Sequence, residues 1–139
     1  MMNKAYQEQA IFPIGDLNVD YKDFFIGDSY LAMLAASPDK QVNVANVTFE
    51  LGCRNNWHCH ENGYQILLVT AGEGFFQEEG KPAQRLKAGD VIVIKESVKH
   101  WHGATKDSWF THIAITAGNA IWFEGVSQQE YDEVNSVDV

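Results

Sequence analysis

The sequence is short of basic residues, nearly free of cysteine, and has no long apolar run. Ten Lys and Arg stand against nineteen Asp and Glu, a net charge of -9, so a phosphate backbone or an anionic membrane surface would be repelled rather than gripped. This predicts no nucleic-acid partner and no membrane partner. No segment reaches the ~18 consecutive apolar residues that a spanning helix needs. Residues 1–23 interrupt every apolar stretch with Glu, Pro, Gly or Asp, and no export signal is expected there. The two cysteines, Cys53 and Cys59, form no C-x-x-C, and a chain of 139 residues needs no covalent staple. A reducing cytoplasm is the simplest compartment. Internal repeats and linker-like tracts are missing as well.

What is present reads as one domain over residues 1–139, with 45% hydrophobic and 21% charged residues in the normal range for a folded chain. Short apolar alternations punctuated by Gly, Asn and Asp run from about residue 24 to 116, which is the pattern of an all-β core. Strands are predicted at 24–26, 30–34, 42–50, 56–60, 65–71, 74–78, 91–94, 100–103 and 109–116. The segment Glu78-Glu79-Gly80-Lys81-Pro82 predicts a hairpin turn. Near the end, Ser127-Gln128-Gln129-Glu130 has the form in which a serine caps a helix and a glutamate reaches back, predicting a short C-terminal helix over 127–134. Glu130, Asp132, Glu133 and Asp138 make that tail acidic, and it is read as a solvated helix face without chemistry.

All five histidines fall between residues 58 and 112, and four form two H-x-H pairs, His58/His60 and His100/His102. On a strand, side chains at i and i+2 share a face, so each pair aims two imidazoles at one target. Cys59 and Trp101 then point the other way. Gln65 opens the run Gln65-Ile66-Leu67-Leu68-Val69 and shares the core face with Leu67 and Val69. An unpaired amide there costs about 1–3 kcal/mol, and a metal ion would satisfy its oxygen.

The spacing Gly52-x5-His58-x-His60-x4-Gln65-x6-Gly72 resembles the first cupin motif, with glutamine where glutamate is usual. Gly89-Asp90-Val91-Ile92-Val93-Ile94 followed by His100 resembles the second. The turn before the last ligand, Lys95-Glu96-Ser97, and Ala104 at the closing position depart from the family pattern. The resemblance covers residues 24–116 and implies a cupin jelly-roll β-barrel with His58, His60, Gln65 and His100 as ligands of one divalent transition metal. Trp57-His58-Cys59-His60, Thr70-Ala71-Gly72-Glu73-Gly74, Lys99-His100-Trp101-His102-Gly103-Ala104 and Thr111-His112-Ile113-Ala114 are similar to one branch of small cupins. That branch includes cupins associated with carboxymuconolactone decarboxylases and the manganese-dependent cupin-type hydroxynitrile lyases. It implies manganese, with His102 and His112 lining the substrate cavity, and a homodimer or higher homo-oligomer.

Imidazole nitrogen with one oxygen suits Mn, Fe, Co, Ni, Cu or Zn. Three neutral imidazoles and an amide leave the whole +2 charge in place, which favours Lewis-acid handling of an anionic or oxyanion-forming small molecule. His102, with an ordinary pKa near 6.5, is the expected proton carrier without needing to bind the metal, and His112 the expected orienting group. Lyase or isomerase chemistry, as in reversible cyanohydrin cleavage, is the first expectation. A metal-dependent dioxygenase and a non-catalytic ligand-binding cupin are the alternatives. The aromatics Trp57, Trp101, Trp109, Trp122, Phe75 and Phe76 are read as core by default, and Cys59 as a buried small hydrophobe.

Overall fold

The computed structural model describes residues 4–136. Its elements are α1 (Lys4–Gln9), β1 (Asp16–Leu17), β2 (Phe25–Ile26), β3 (Ser29–Ala36), β4 (Val42–Phe49), β5 (Arg54–Asn55), β6 (His58–Glu78), β7 (Gln84–Lys87), β8 (Val91–Ile94), β9 (His100–Ala104), β10 (Phe110–Trp122) and α2 (Gln128–Ser136). The strands follow the order β1-β3-β4-β10-β6-β9-β5-β2, with β7 and β8 also paired to β6. This is the all-β barrel expected, with one short C-terminal helix. Among the described residues no helix is long and apolar enough to cross a membrane.

Strand β6 organises the barrel. The segments predicted at 56–60, 65–71 and 74–78 are one strand of 21 residues, bent where Asn62 (φ 60°) and Gly72 (φ 74°) enter the left-handed region. Breaker residues bend this strand without ending it because β10 stays paired alongside from Gly72↔Phe110 to His58↔Trp122, absorbing two register shifts. For the same reason β10 runs to Trp122, beyond the predicted end at 116. A Cβ on Gly72 would lie 2.0 Å from the Trp109 carbonyl oxygen, so both its dihedral and its contact demand glycine. The β6–β7 hairpin forms as expected, with Gly80 at φ 81° and the Lys81 amide donating to the Glu78 carbonyl. β1, β5, β7 and α1 are not among the elements that the sequence predicts. β5 is the polar pair Arg54–Asn55, and β7 has a single apolar residue, Leu86, so neither carries a period-2 signal.

Leu67 and Val69 alternate to the inside of β6, and the register shift between Val69 and Ala71 changes the phase so that Phe76 also points inward, with Phe49, Phe110, Leu86 and Ile94. Each fully buried large side chain there contributes about 2 kcal/mol. Phe75 and Trp101 face outward, where they pack with Trp57, Val126 and Tyr131 beneath α2. The helix cap is the reciprocal one predicted: the Glu130 amide donates to Ser127 Oγ at 3.1 Å and the Ser127 amide to Glu130 Oε1 at 3.0 Å. The tail is nevertheless more than a solvated face. Tyr131 is buried, its hydroxyl donates to the Ala104 carbonyl at 2.5 Å, and the Arg54 guanidinium lies 4.3 Å from its ring centre. Arg54 also donates to the Val126 carbonyl. Glu130, Asp132 and Glu133 are exposed, as expected; Asp138 lies outside the described residues. Cys53 and Cys59 are free and buried, and burial raises both thiol pKa values.

Candidate metal centre

The five histidines and Gln65 come together inside the barrel, all at most 7% exposed. Three strands deliver them: β6 carries His58, His60 and Gln65, β9 carries His100 and His102, and β10 carries His112. Ring centres are 4.2 Å apart for His58 and His100, 5.2 Å for His58 and His60, and 5.5 Å for His60 and His100. As the alternation requires, Cys59 is directed away, with Sγ on Glu61, and Trp101 lies on the outer face, bonded to Gln77.

Hydrogen bonds set which nitrogens are available. His58 Nδ1 lies 2.8 Å from the Asn56 carbonyl and His100 Nδ1 lies 2.9 Å from the Val98 carbonyl. A carbonyl only accepts, so both Nδ1 atoms carry the proton and each Nε2 keeps its lone pair. Gln65 donates through Nε2 to Thr116 Oγ1 at 3.0 Å, turning its oxygen inward. Thr116, on β10, is thereby the anchor of Gln65, a role that no local pattern in the sequence signals. His60 Nδ1 and Nε2, Gln65 Oε1 and His100 Nε2 are all buried without a hydrogen-bond partner. His112 Nδ1 is a fifth such atom on the far side of His102, and orphaned polar atoms gathered in one cluster are what a cation-binding site looks like before its ion is added.

Burial holds every imidazole neutral. It drives the His58 and His102 pKa values well below 6.5, with the neighbouring imidazoles adding to the effect. His60 is lowered, His100 falls to about 4 and His112 to about 3. The expectation that His102 titrates near 6.5 is therefore corrected: desolvation makes it a neutral, reluctant base. Its Nδ1 lies 3.1 Å from His112 Nε2, and its backbone amide donates to Asn55 Oδ1 at 2.9 Å. Asn55 went unnoticed in the sequence because it sits on the two-residue β5.

A cavity of about 230 Å³ opens onto the cluster. Phe25, Leu31, Val47 and Ala114 form apolar walls, His58, His60, Gln65, His102 and His112 one polar side, and Met33, Tyr21 and Asn43 the more exposed rim. Trp122 also lines it, the exception among aromatics otherwise buried as core. One face of its indole stacks on Phe24 at 4.7 Å and the ring lies 4.5 Å from His58. A larger, open concavity of about 530 Å³ beside Gln7, Phe12 and Gly15 gathers no comparable polar groups.

Residues 45–123 match the family model described as Cupin domain. The chain belongs to the cupin family. This cupin is 41% identical over 114 residues to a protein named (R)-mandelonitrile lyase from Granulicella tundricola, an alignment spanning 78% of this chain and 86% of the relative. Among solved structures it is similar to a cupin-like protein from Thermotoga maritima, with 41% identity, a TM-score of 0.86, and coverage of 93% of this chain and 99% of the other. A predicted oxalate decarboxylase from the same organism shares the fold, at 23% identity and a TM-score of 0.63 over 68% of this chain and 84% of that one. Imidazoles that are already neutral, with two of them anchored through Nδ1, and a glutamine oxygen without a partner fit a divalent transition metal.

Proposed function

We propose that this cupin is a metal-dependent lyase that cleaves and forms the carbon–carbon bond of a small cyanohydrin, with manganese as its ion. The observation that carries the reading is the set of buried, unpartnered atoms of His60, Gln65 and His100 beside an apolar cavity. Similarity to the mandelonitrile lyase supports the choice of substrate class. His58, His60, Gln65 and His100 would hold the ion, which supplies when bound an uncompensated double charge for polarising a substrate oxygen.

The remaining work falls to the chain's own side chains. Phe25, Leu31 and Val47 exclude water and seat the organic substituent. His102, neutral in the cavity wall, accepts the proton of the substrate hydroxyl as the bond between the carbinol and nitrile carbons breaks. Cyanide departs with the bonding electron pair and takes that proton back from His102, so an aldehyde and hydrogen cyanide leave and the imidazole returns to its starting state. His112, 3.1 Å from His102 Nδ1, orients the ring and shares its transient charge.

Protein purified without chelator or nickel resin should hold about one ion per chain by elemental analysis and should release benzaldehyde from mandelonitrile without consuming oxygen. His58→Ala and His100→Ala should each strip the ion. Protein that lacks metal and releases no aldehyde refutes the reading, and oxygen uptake in place of aldehyde release would mark a dioxygenase.

A further inference from the structure

Asn55 is a polar side chain on a strand of two residues, yet it is only 2% exposed. Its strand is pinned on both edges, by β2 at Phe25↔Asn55 and by β9 at Gly103↔Arg54. The neighbouring Arg54 guanidinium adds bonds to the Gly52 and Val126 carbonyls. The Asn55 amide has one orientation. Its Oδ1 accepts the His102 backbone amide at 2.9 Å, and only an oxygen can face that donor. Nδ2 is therefore the atom turned to the His102 ring, 3.3 Å from both ring nitrogens. A primary amide nitrogen carries two N–H groups. One of them serves the ring; the other has no partner among the described residues, on a side chain that lines the cavity.

The rest of the lining offers an anion little else. It holds no Asp, Glu, Lys or Arg, the Gln65 amide donates to Thr116 and the Asn18 amide to Ser29, and Tyr21 and Asn43 stand at the exposed rim. Resting on the reading that this cavity cleaves a cyanohydrin, we propose that the free N–H of Asn55 Nδ2 is the hydrogen-bond donor that receives the departing cyanide. As the bond between the carbinol and nitrile carbons breaks, its electron pair passes to the nitrile carbon and negative charge spreads to the nitrogen. Asn55 donates to that nitrogen while the carbon end takes the proton held by His102, so hydrogen cyanide forms within reach of both residues. A neutral donor held in place before the charge develops, in a cavity with apolar walls, has nothing to reorganise at that moment. The same contact keeps the nitrile end of the substrate on the His102 side and leaves Leu31 and Val47 to the organic substituent.

The test is Asn55→Asp, which keeps the shape of the side chain and the acceptor for the His102 amide while removing the donor. Circular dichroism and metal content establish that the variant is folded and loaded with Mn²⁺. Its kcat for mandelonitrile cleavage should fall by about 10²–10³-fold. In the reverse direction its KM for cyanide should rise about tenfold or more while its KM for benzaldehyde stays within about twofold of wild type, a split that a merely structural role would not produce. A measurement on the wild type does not depend on how the variant folds: in crystals of the manganese-loaded protein soaked with potassium cyanide, one end of the anion should lie about 3 Å from Asn55 Nδ2. Unchanged kcat and cyanide KM in folded, loaded Asn55→Asp, an equal rise in both KM values, or cyanide bound away from Asn55 overturns this inference and leaves the proposed function standing. Wild-type protein that releases no benzaldehyde from mandelonitrile overturns both.

Discussion

Replacing Thr116 with valine should loosen the metal centre without touching any ligand. Thr116 Oγ1 is the acceptor for Gln65 Nε2 at 3.0 Å, and Gln65 is only 7% exposed, so water does not readily take the vacated place. Valine keeps the shape and removes the acceptor. Leaving the amide donor unpaired costs about 1–3 kcal/mol when fully buried; Thr116 is itself half-buried, which points to the low end. The larger effect is orientational, because nothing then distinguishes the amide from its flipped form, which turns an N–H toward the cation. Loss of an orienting partner of this kind weakens metal binding by roughly 10–100-fold, about 1.4–2.8 kcal/mol. Competition of Mn²⁺ against a fluorescent chelator reads the affinity, and thermal melting of the metal-free protein reads the stability. Thr116→Ser restores the acceptor and should bind within about twofold of wild type. Equal Mn²⁺ affinity in the wild type, the valine variant and the serine variant would refute the claim that Gln65 is a ligand aimed by Thr116.

Other expectations are simpler to check. In the metal-free protein, burial holds the histidine pKa values below 6.5, so below pH 6.5 the unfolded chain binds more protons than the folded one. The stability they contribute is present above pH 6.5 and drains away as the pH falls toward about 4 for His100 and about 3 for His112. By pH 5.5 each buried imidazole costs roughly 1.4 kcal/mol; equal denaturation midpoints at pH 7.5 and 5.5 would contradict this. Gly72→Ala drives a Cβ to 2.0 Å from the Trp109 carbonyl oxygen at φ 74°, and should lower stability by about 3 kcal/mol, readable in urea. Tyr131→Phe loses the hydroxyl donated to the Ala104 carbonyl and should cost about 1–2 kcal/mol by the same assay, with the ultraviolet circular dichroism of the barrel unchanged.

The histidine positions were legible because strand periodicity is local: H-x-H on β6 and on β9 reports a shared face whatever the rest of the chain does. So was the inward aim of Gln65, and the cap of α2 from Ser127 and Glu130. What escaped were features set by pairing between distant strands. The continuity of β6 through Asn62 and Gly72 depends on β10 running alongside it, and no window of sequence contains both. Asn55 and Thr116 act on His102 and Gln65 across 47 and 51 residues, and polar side chains of this kind carry no periodic signal. The basicity of His102 is not legible in the sequence because the reference value belongs to a solvated ring, whereas the barrel wall and four other imidazoles surround this one.

Strand β6 meets β9 at both of its ends, since His100 is partnered by His58 at one extremity and by Glu78 at the other. The hoop that results has its clasp at the histidine cluster. Parting His58 from His100 means breaking backbone bonds on either side of β9, an opening that the hairpin loops cannot supply by local fraying. Amide hydrogens at these positions should exchange only through opening of the whole barrel. Under the proposed function, a bound ion would then exchange through the cavity mouth by side-chain rotation, so that substitutions at the rim residues Met33 and Tyr21, rather than changes in barrel stability, should alter how fast metal enters and leaves.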